Sequence, residues 1–220
     1  MFLRRRIFLL ARTGRVLFRL RMLVTIILCG GKVMRAIVLI FMFVLFAHPV
    51  YALDIGGVSV ADEVVSDGGT TLKLNGAGIR SKFFFDIYIA ELYLENPAKE
   101  AEQVIADQGH KRVVMHFLYD GVGQDKLVDG WNEGFAANLD DETQEKLQPR
   151  IDNFNSMFTE EMKSGDIVVF DYLPGQGTRV RIKDNVKGLI PGKDFNDALL
   201  SIWLGKKPVG SSLKKDMLGR

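Results

Sequence analysis

The segment Gly76–Lys82 (GAGIRSK) contains the side chain with the clearest potential for chemistry, Arg80. Two glycines precede the arginine, so that the backbone can turn tightly there, and a strongly apolar segment follows it. A guanidinium beside apolar residues needs a carboxylate partner or a bound anion, because an isolated buried charge is costly. Tyr88 adds an aromatic ring with one hydroxyl group. Arg80 and Tyr88 could therefore bind a carboxylate or enolate attached to an apolar body.

A structural ion pair between Arg80 and Asp86 or Glu91 is the alternative to a ligand site. Spacing alone does not bring Arg80 and Tyr88 together, since eight residues of straight strand span about 26 Å. Their convergence on one ligand requires a turn or bulge between them. Ser81-Lys82 is the stretch polar enough to contain it, so the bend is predicted there.

Other side chains give weaker indications of chemistry. The chain contains no nucleophile elbow, no phosphate-binding loop and no histidine pair with metal-ligand spacing, so neither a metal nor a cofactor is predicted. His110 is interpreted as a solvated loop residue and His116 as a partly buried strand residue. Asp140-Asp141-Glu142 is interpreted as the acidic start of a helix. The single cysteine, Cys29, excludes an internal disulfide framework.

Charge is distributed very unevenly along the chain. Residues 1–52 hold nine basic residues and no acidic residue, whereas residues 53–220 hold 20 basic and 27 acidic residues, a net charge of −7. Nucleic acid is an improbable partner for an acidic domain, because affinity for it depends largely on neutralising phosphates. The sequence is therefore divided into a basic extension (1–33), a targeting segment (34–52) and one globular domain (53–220).

Residues 34–52 have the pattern of a secretory signal. Met34-Arg35 precedes the uncharged run AIVLIFMFVLFA, and Val50 and Ala52 occupy the small-residue positions of a cleavage site. Cleavage after Ala52 would place the mature domain in the periplasm or outside the cell. An uncleaved membrane anchor is the alternative, although the run is shorter than the roughly 20 residues that span a bilayer. The extension 1–33 is interpreted as a start-site artefact upstream of Met34, or else as a long basic leader.

The elements of the globular domain alternate between strands and helices. Strands are predicted within 53–75, 83–94, 112–119, 166–173 and 178–183, and helices within 97–108, 122–139, 141–162 and 195–204. Pro149 is expected to kink or divide the third helix, and Asp194 to cap the last one. Phe195, Leu199, Ile202 and Trp203 are assigned to the core. Antiparallel strands with helices grouped between them predict an α+β domain with helices on one face of a sheet.

Three segments of this domain resemble the bacterial chalcone isomerase-like family: GAGIRSKFFFDIYIAELYL, DYLPGQGTRVRI and DFNDALLSIWLGKKPVGSSLKKDMLG. The resemblance extends over residues 53–220. It implies an open-faced β-sandwich, in which a large antiparallel sheet carries a layer of helices and the ligand cleft lies between them.

The resemblance also implies roles for individual residues. Arg80 corresponds to the arginine of the isomerase site and Lys126 to its lysine, whereas Tyr88, Gly123 and Ile202 replace its other three polar residues. Arg80 with Tyr88 is similar to the pair attributed to fatty-acid-binding members of the fold. The sequence therefore predicts a secreted, non-catalytic binder of a small apolar acid, with ligand-binding residues Arg80, Tyr88 and Lys126. The alternatives are an isomerase or lyase acting on an enone-like substrate, and a structural domain with a vestigial cleft.

Overall fold

The computed structural model describes residues 52–220, in which nine strands and five helices follow one another along the chain. The strands are β1 (Ala52–Ile55), β2 (Val58–Ala61), β3 (Glu63–Val65), β4 (Thr71–Lys82), β5 (Phe85–Leu94), β6 (Lys111–Phe117), β7 (Ile167–Leu173), β8 (Gly177–Ile182) and β9 (Asn185–Pro191). The helices are α1 (Ala101–Ala106), α2 (Gln124–Asn138), α3 (Asp141–Ser156), α4 (Lys193–Leu204) and α5 (Ser211–Met217).

Strands β3 to β9 form one antiparallel sheet whose spatial order is the order of the sequence. Each strand pairs with the next, and β1 pairs with β2 in a separate hairpin. The turn Pro174–Gly177 joins β7 to β8, as the sequence predicts, and Gly175 adopts a positive φ of 75° there. Such a conformation favours glycine because it has no Cβ.

The main core lies between one face of the sheet and the helices. On β5, the residues Tyr88, Ala90 and Leu92 point to this face, in keeping with the two-residue period of a strand. The helices and the segment after α3 contribute a cluster of aromatic rings with centroids 5.1 to 6.1 Å apart: Trp131, Phe135, Phe154, Phe158, Phe195 and Trp203. The predicted α+β class, with helices on one face of a large antiparallel sheet, is confirmed.

The predicted core of α4 is also confirmed, because Phe195, Leu199, Ile202 and Trp203 are each at most 1% exposed. The predicted cap of this helix is wrong. Gly192, with a φ of 94°, occupies the N-cap, and Asp194 lies inside the first turn, where its carboxylate pairs with Arg150. That ion pair holds the pKa of Asp194 near 2.

Two predicted helices differ from the observed ones. Helix α1 begins at Ala101 rather than Pro97, and α3 ends at Ser156 rather than Met162. Pro149 does not divide α3, which is one continuous helix. Since proline lacks only its own N–H, the remaining turns keep their hydrogen bonds while Leu147, Ile151 and Phe154 anchor the helix in the core.

Two elements were not predicted, β9 and α5. Lys183 and Asp184 both have positive φ values, 50° and 66°, and form a tight turn that returns the chain as β9 beside β8. Helix α5 is short and begins directly after Gly210. Its Leu213 and Met217 complete the end of the core.

The predicted leader, signal and Cys29 lie outside the described residues, and the division into 1–33, 34–52 and 53–220 stays a prediction. Within residues 52–220, no helix is long and apolar enough to span a bilayer.

Candidate functional site

The β4–β5 hairpin places Arg80 directly opposite Tyr88. The two residues are partners in the register of the strands, on the face that carries the helices. The hairpin turn lies at Phe83–Phe84, two residues later than the predicted bend at Ser81-Lys82, and a register shift follows Arg80. Phe83 has a φ of 56°, which is unusual for a bulky residue and explains why the sequence gives no turn signal there.

The two glycines before Arg80 serve a different purpose from the predicted one. Gly76 and Gly78 lie inside β4, and α5 packs directly onto them. A Cβ at Gly76 would overlap the carbonyl oxygen of Asp216, and one at Gly78 would lie 2.6 Å from the Asp216 Cβ. The interpretation as a tight turn is therefore wrong. The glycines allow the close approach of a helix.

The carboxylates proposed as structural partners of Arg80 are both engaged elsewhere. Ser81 Oγ donates a hydrogen bond to Asp86 Oδ1 at 2.6 Å. Glu91 lies on the opposite face of the sheet, where Tyr93 Oη donates to its Oε2 at 2.8 Å and His116 Nε2 lies 2.9 Å from its Oε1. Considering residues 52–220 alone, no carboxylate oxygen lies within 4 Å of the Arg80 guanidinium.

Tyr88 is buried, and its hydroxyl is oriented by Trp203. Trp203 Nε1 donates a hydrogen bond to the Tyr88 hydroxyl oxygen at 3.1 Å. Burial raises the pKa of Tyr88 to about 12, against the opposing effects of the Arg80 charge and the hydrogen bond from Trp203. Tyr88 therefore stays protonated at neutral pH, and its hydroxyl hydrogen is available to donate to a second acceptor.

Arg80 and Tyr88 line the same cavity, whose volume is about 560 Å³, within the range of small-molecule sites. It lies between the β4–β6 part of the sheet, helix α2 and the segment Lys207–Val209 after α4. Its apolar walls are formed by Ile87, Met115, Phe117, Leu127, Trp131 and Ile202. A second cavity, between β4 and α5, borders the other side of Arg80 but contains neither Tyr88 nor Lys126.

Lys126 is the third predicted site residue, and it also lines the cavity, from the first turn of α2. Its side chain is exposed, as are Lys82 and Lys207 at the same opening. With Arg80 these make four cations, against two acidic lining residues, Asp129 and Glu133. The lining is thus net positive within a domain that is net negative. A positively charged lining favours an anionic ligand.

The two histidines of the described chain lie outside this cavity. His116 is partly buried beside Glu91, as predicted. His110 precedes β6 and is half-buried, with Nδ1 out of contact with solvent, so the prediction of a solvated side chain is wrong. Within residues 52–220, no three His, Cys, Asp or Glu side chains are grouped as metal ligands.

The sequence did not identify Trp203 as part of the site, nor α5 as the support of β4. Trp203 was recognised only as a core residue, because an apolar stripe does not show that its indole N–H bonds to the Tyr88 hydroxyl. The walls Leu127 and Trp131 were detectable from their spacing of four residues on α2. Gly123 lies at the N-cap of α2, and Ile202 lies in the cavity wall.

Comparison with known proteins gives a family and a fold. Residues 52–219 match the family model described as chalcone isomerase-like. No curated protein matches the sequence.

Among solved structures, the chain is similar to the crystal structure of a fatty-acid binding protein from Arabidopsis thaliana. The TM-score is 0.53 at 14% sequence identity, and the match covers 71% of this chain and 95% of the plant protein. At this identity the likeness establishes the fold. The predicted open-faced sandwich of chalcone isomerase type is thereby confirmed.

Proposed function

Since the chain belongs to the chalcone isomerase-like family, we propose that its domain is a non-catalytic binder of a small apolar carboxylate such as a fatty acid. The acid group binds between Arg80, Tyr88 and Lys126, and the apolar body lies against the aromatic walls of the cavity. The proposal includes export of the domain by the signal at residues 34–52.

One observation carries the proposal: Arg80 and Tyr88 are cross-strand partners that line one cavity with apolar and aromatic walls, and no carboxylate of residues 52–220 is paired to the arginine. A guanidinium and a hydroxyl hydrogen are both donors, which matches the acceptor oxygens of a carboxylate. The fatty-acid binding protein of the same fold supports the choice of ligand class.

The high pKa of Tyr88 favours binding over catalysis. In the alternative, an isomerase or lyase, Tyr88 would exchange a proton with the substrate. A general acid or base works best when its pKa is near the operating pH, and a pKa of about 12 is far from it. Because it stays protonated, Tyr88 is suited to donate a hydrogen bond to the carboxylate of a ligand.

The test compares a fatty acid with the alcohol of the same chain length. We expect the unmodified chain to bind the acid more tightly than the alcohol. Arg80→Ala should weaken acid binding by about 1.5–3 kcal/mol, the magnitude of a hydrogen bond to a charged group, and leave alcohol binding nearly unchanged. Calorimetric titration of both ligands measures the preference.

Arg179→Ala is the matched control, because Arg179 pairs with Asp67 and does not line the cavity. It should keep the preference for the acid. Equal loss of acid and alcohol binding in Arg80→Ala would contradict the proposal, since the arginine would then only shape the cavity. Mass spectrometry of an organic extract of the purified protein is expected to identify a bound acid.

A further inference from the structure

The tip of the β4–β5 hairpin exposes three consecutive phenylalanines. Phe83, Phe84 and Phe85 are 87%, 98% and 53% exposed. Phenylalanine is among the residues that folded proteins bury most, and single exposed apolar residues are ordinary. A run of three at one projecting turn is an apolar surface that calls for a partner.

Several local contacts fix the conformation of the tip. Lys82 pairs with Phe85 across the turn, and Ser81 Oγ donates to Asp86 just below it. The Phe85 ring packs edge-on against Tyr119, with centroids 5.2 Å apart. Phe83 keeps its positive φ, a conformation that a glycine would adopt at lower cost. The sequence thus keeps a large ring at a position where local structure favours the smallest residue.

The tip lies at the rim of the cavity. Lys82, which precedes it, and Tyr119, which contacts it, both line the cavity, and Lys126 and Lys207 lie at the same opening. An apolar tip flanked by lysines matches a membrane surface, where rings enter the acyl region while ammonium groups remain among anionic headgroups.

We propose that the tip Phe83–Phe85 inserts into a lipid bilayer and brings the opening of the cavity against its surface. The ligand then passes between bilayer and cavity without crossing water, a consequence that rests on the proposed function. A second copy of the chain fits the tip less well. Three phenylalanines bury roughly 750 Å² at most, below the roughly 800 Å² per partner of a stable interface.

A local reporter tests insertion in the full-length chain. Phe84→Trp places an indole at the most exposed position of the tip, whereas Trp131 and Trp203 are buried and provide a constant background. On addition of vesicles of phosphatidylcholine and phosphatidylglycerol, we expect the emission to shift to shorter wavelength and to be quenched by lipids brominated in their acyl chains. Because the reporter is local, membrane association through residues 36–47 does not produce this signal.

Val186→Trp is the matched control, because Val186 is 60% exposed in β9, the edge strand four strands away from β5 of the hairpin. Its emission should not change with vesicles. An unchanged emission of the Phe84→Trp protein, or an equal change in both proteins, would overturn the proposal. So would a concentration-dependent dimer, seen by sedimentation and abolished by Phe84→Ser, since the tip would then bind another copy.

A second variant separates insertion from ligand binding. Phe83→Ser with Phe84→Ser should reduce the rate of fatty-acid transfer from vesicles to the protein by on the order of tenfold or more, because two rings no longer enter the bilayer. Equilibrium affinity for the acid should stay constant, since neither residue lines the cavity. Insertion without ligand binding would refute only the proposed function. Ligand binding with an unchanged transfer rate would refute only the role of the tip.

Discussion

At the scale of single residues, the hydrogen bond from Trp203 to Tyr88 decides what the site can do. An indole N–H only donates, so the tyrosine oxygen must accept and its hydrogen points elsewhere. The bond also joins α4 to β5, because Trp203 is fully buried in the core. The same hydrogen bond therefore contributes to the stability of the core and orients a polar group that lines the cavity.

Tyr88→Phe should destabilise the domain, because the buried Trp203 N–H loses its acceptor. At neutral pH we expect a loss of about 1–3 kcal/mol in the free energy of unfolding. The folded pKa of Tyr88, about 12, is above the ordinary value of 10. Its contribution is therefore complete below pH 10 and is lost as pH rises from about 10 to 12, by about 2–3 kcal/mol.

Urea titrations of both proteins between pH 8 and pH 12 measure this effect. The difference between wild type and Tyr88→Phe should shrink as pH rises. Tyr93, whose pKa is raised first by burial and then by Glu91, titrates in both proteins and cancels in the comparison. A difference that does not depend on pH would show that Tyr88 ionises normally in the folded state.

At the scale of elements, the packing of α5 on β4 explains the two glycines. Gly76→Ala would force a Cβ into the backbone of α5, where neither element can yield cheaply. We expect a loss of about 1–3 kcal/mol, the usual cost of overpacking, measured by urea titration. Gly130→Ala is the control, because Gly130 lies inside α2 with no atom near its Cβ position. That substitution should stabilise the helix by about 0.5–1 kcal/mol. If both substitutions changed the free energy of unfolding in the same direction, this account would be contradicted.

The burial of α4 makes its tryptophan the residue most sensitive to truncation. Trp203→Ala should cost roughly 3–5 kcal/mol, the range for large aromatic residues in a core. Leu189→Ala, in β9 with Leu189 43% exposed, should cost much less. Thermal unfolding of both variants compares them. A loss below about 1 kcal/mol for Trp203→Ala would place α4 at the surface.

Elements with a strong period of hydrophobic residues were predictable from the sequence, and elements fixed by tertiary contacts were not. The stripe Leu127, Trp131 and Phe135 identified α2, and Pro174-Gly175 identified the β7–β8 turn. The turns at Phe83 and Lys183 are built from residues that seldom adopt positive φ. The β4–β5 turn was therefore predicted two residues too early, and β9 was not predicted. The direction of the Trp203 indole depends on packing between α4 and the sheet, which no local pattern encodes.

At the scale of the whole molecule, a basic segment, residues 1–52, precedes an acidic domain. We expect protein isolated from its native host to begin at Leu53, and N-terminal sequencing measures this. Cleavage after Ala52 would remove only the first pair of the β1–β2 hairpin, Ala52 with Ala61, and keep the pairing of Leu53 with Val60. A persistent Met1 or Met34 would contradict the predicted signal.

The contact between α5 and β4 also bears on the order of events during synthesis. Asn75, on the same strand β4 as Arg80, donates through Nδ2 to the carbonyl oxygen of Met217, a residue 142 positions later. Until α5 has emerged from the ribosome, Gly76 and Gly78 have no helix against them. Domains fold as units once their parts are available. The strand that carries Arg80 therefore gains its packing partner α5 only after the whole of the chain between them has been synthesised.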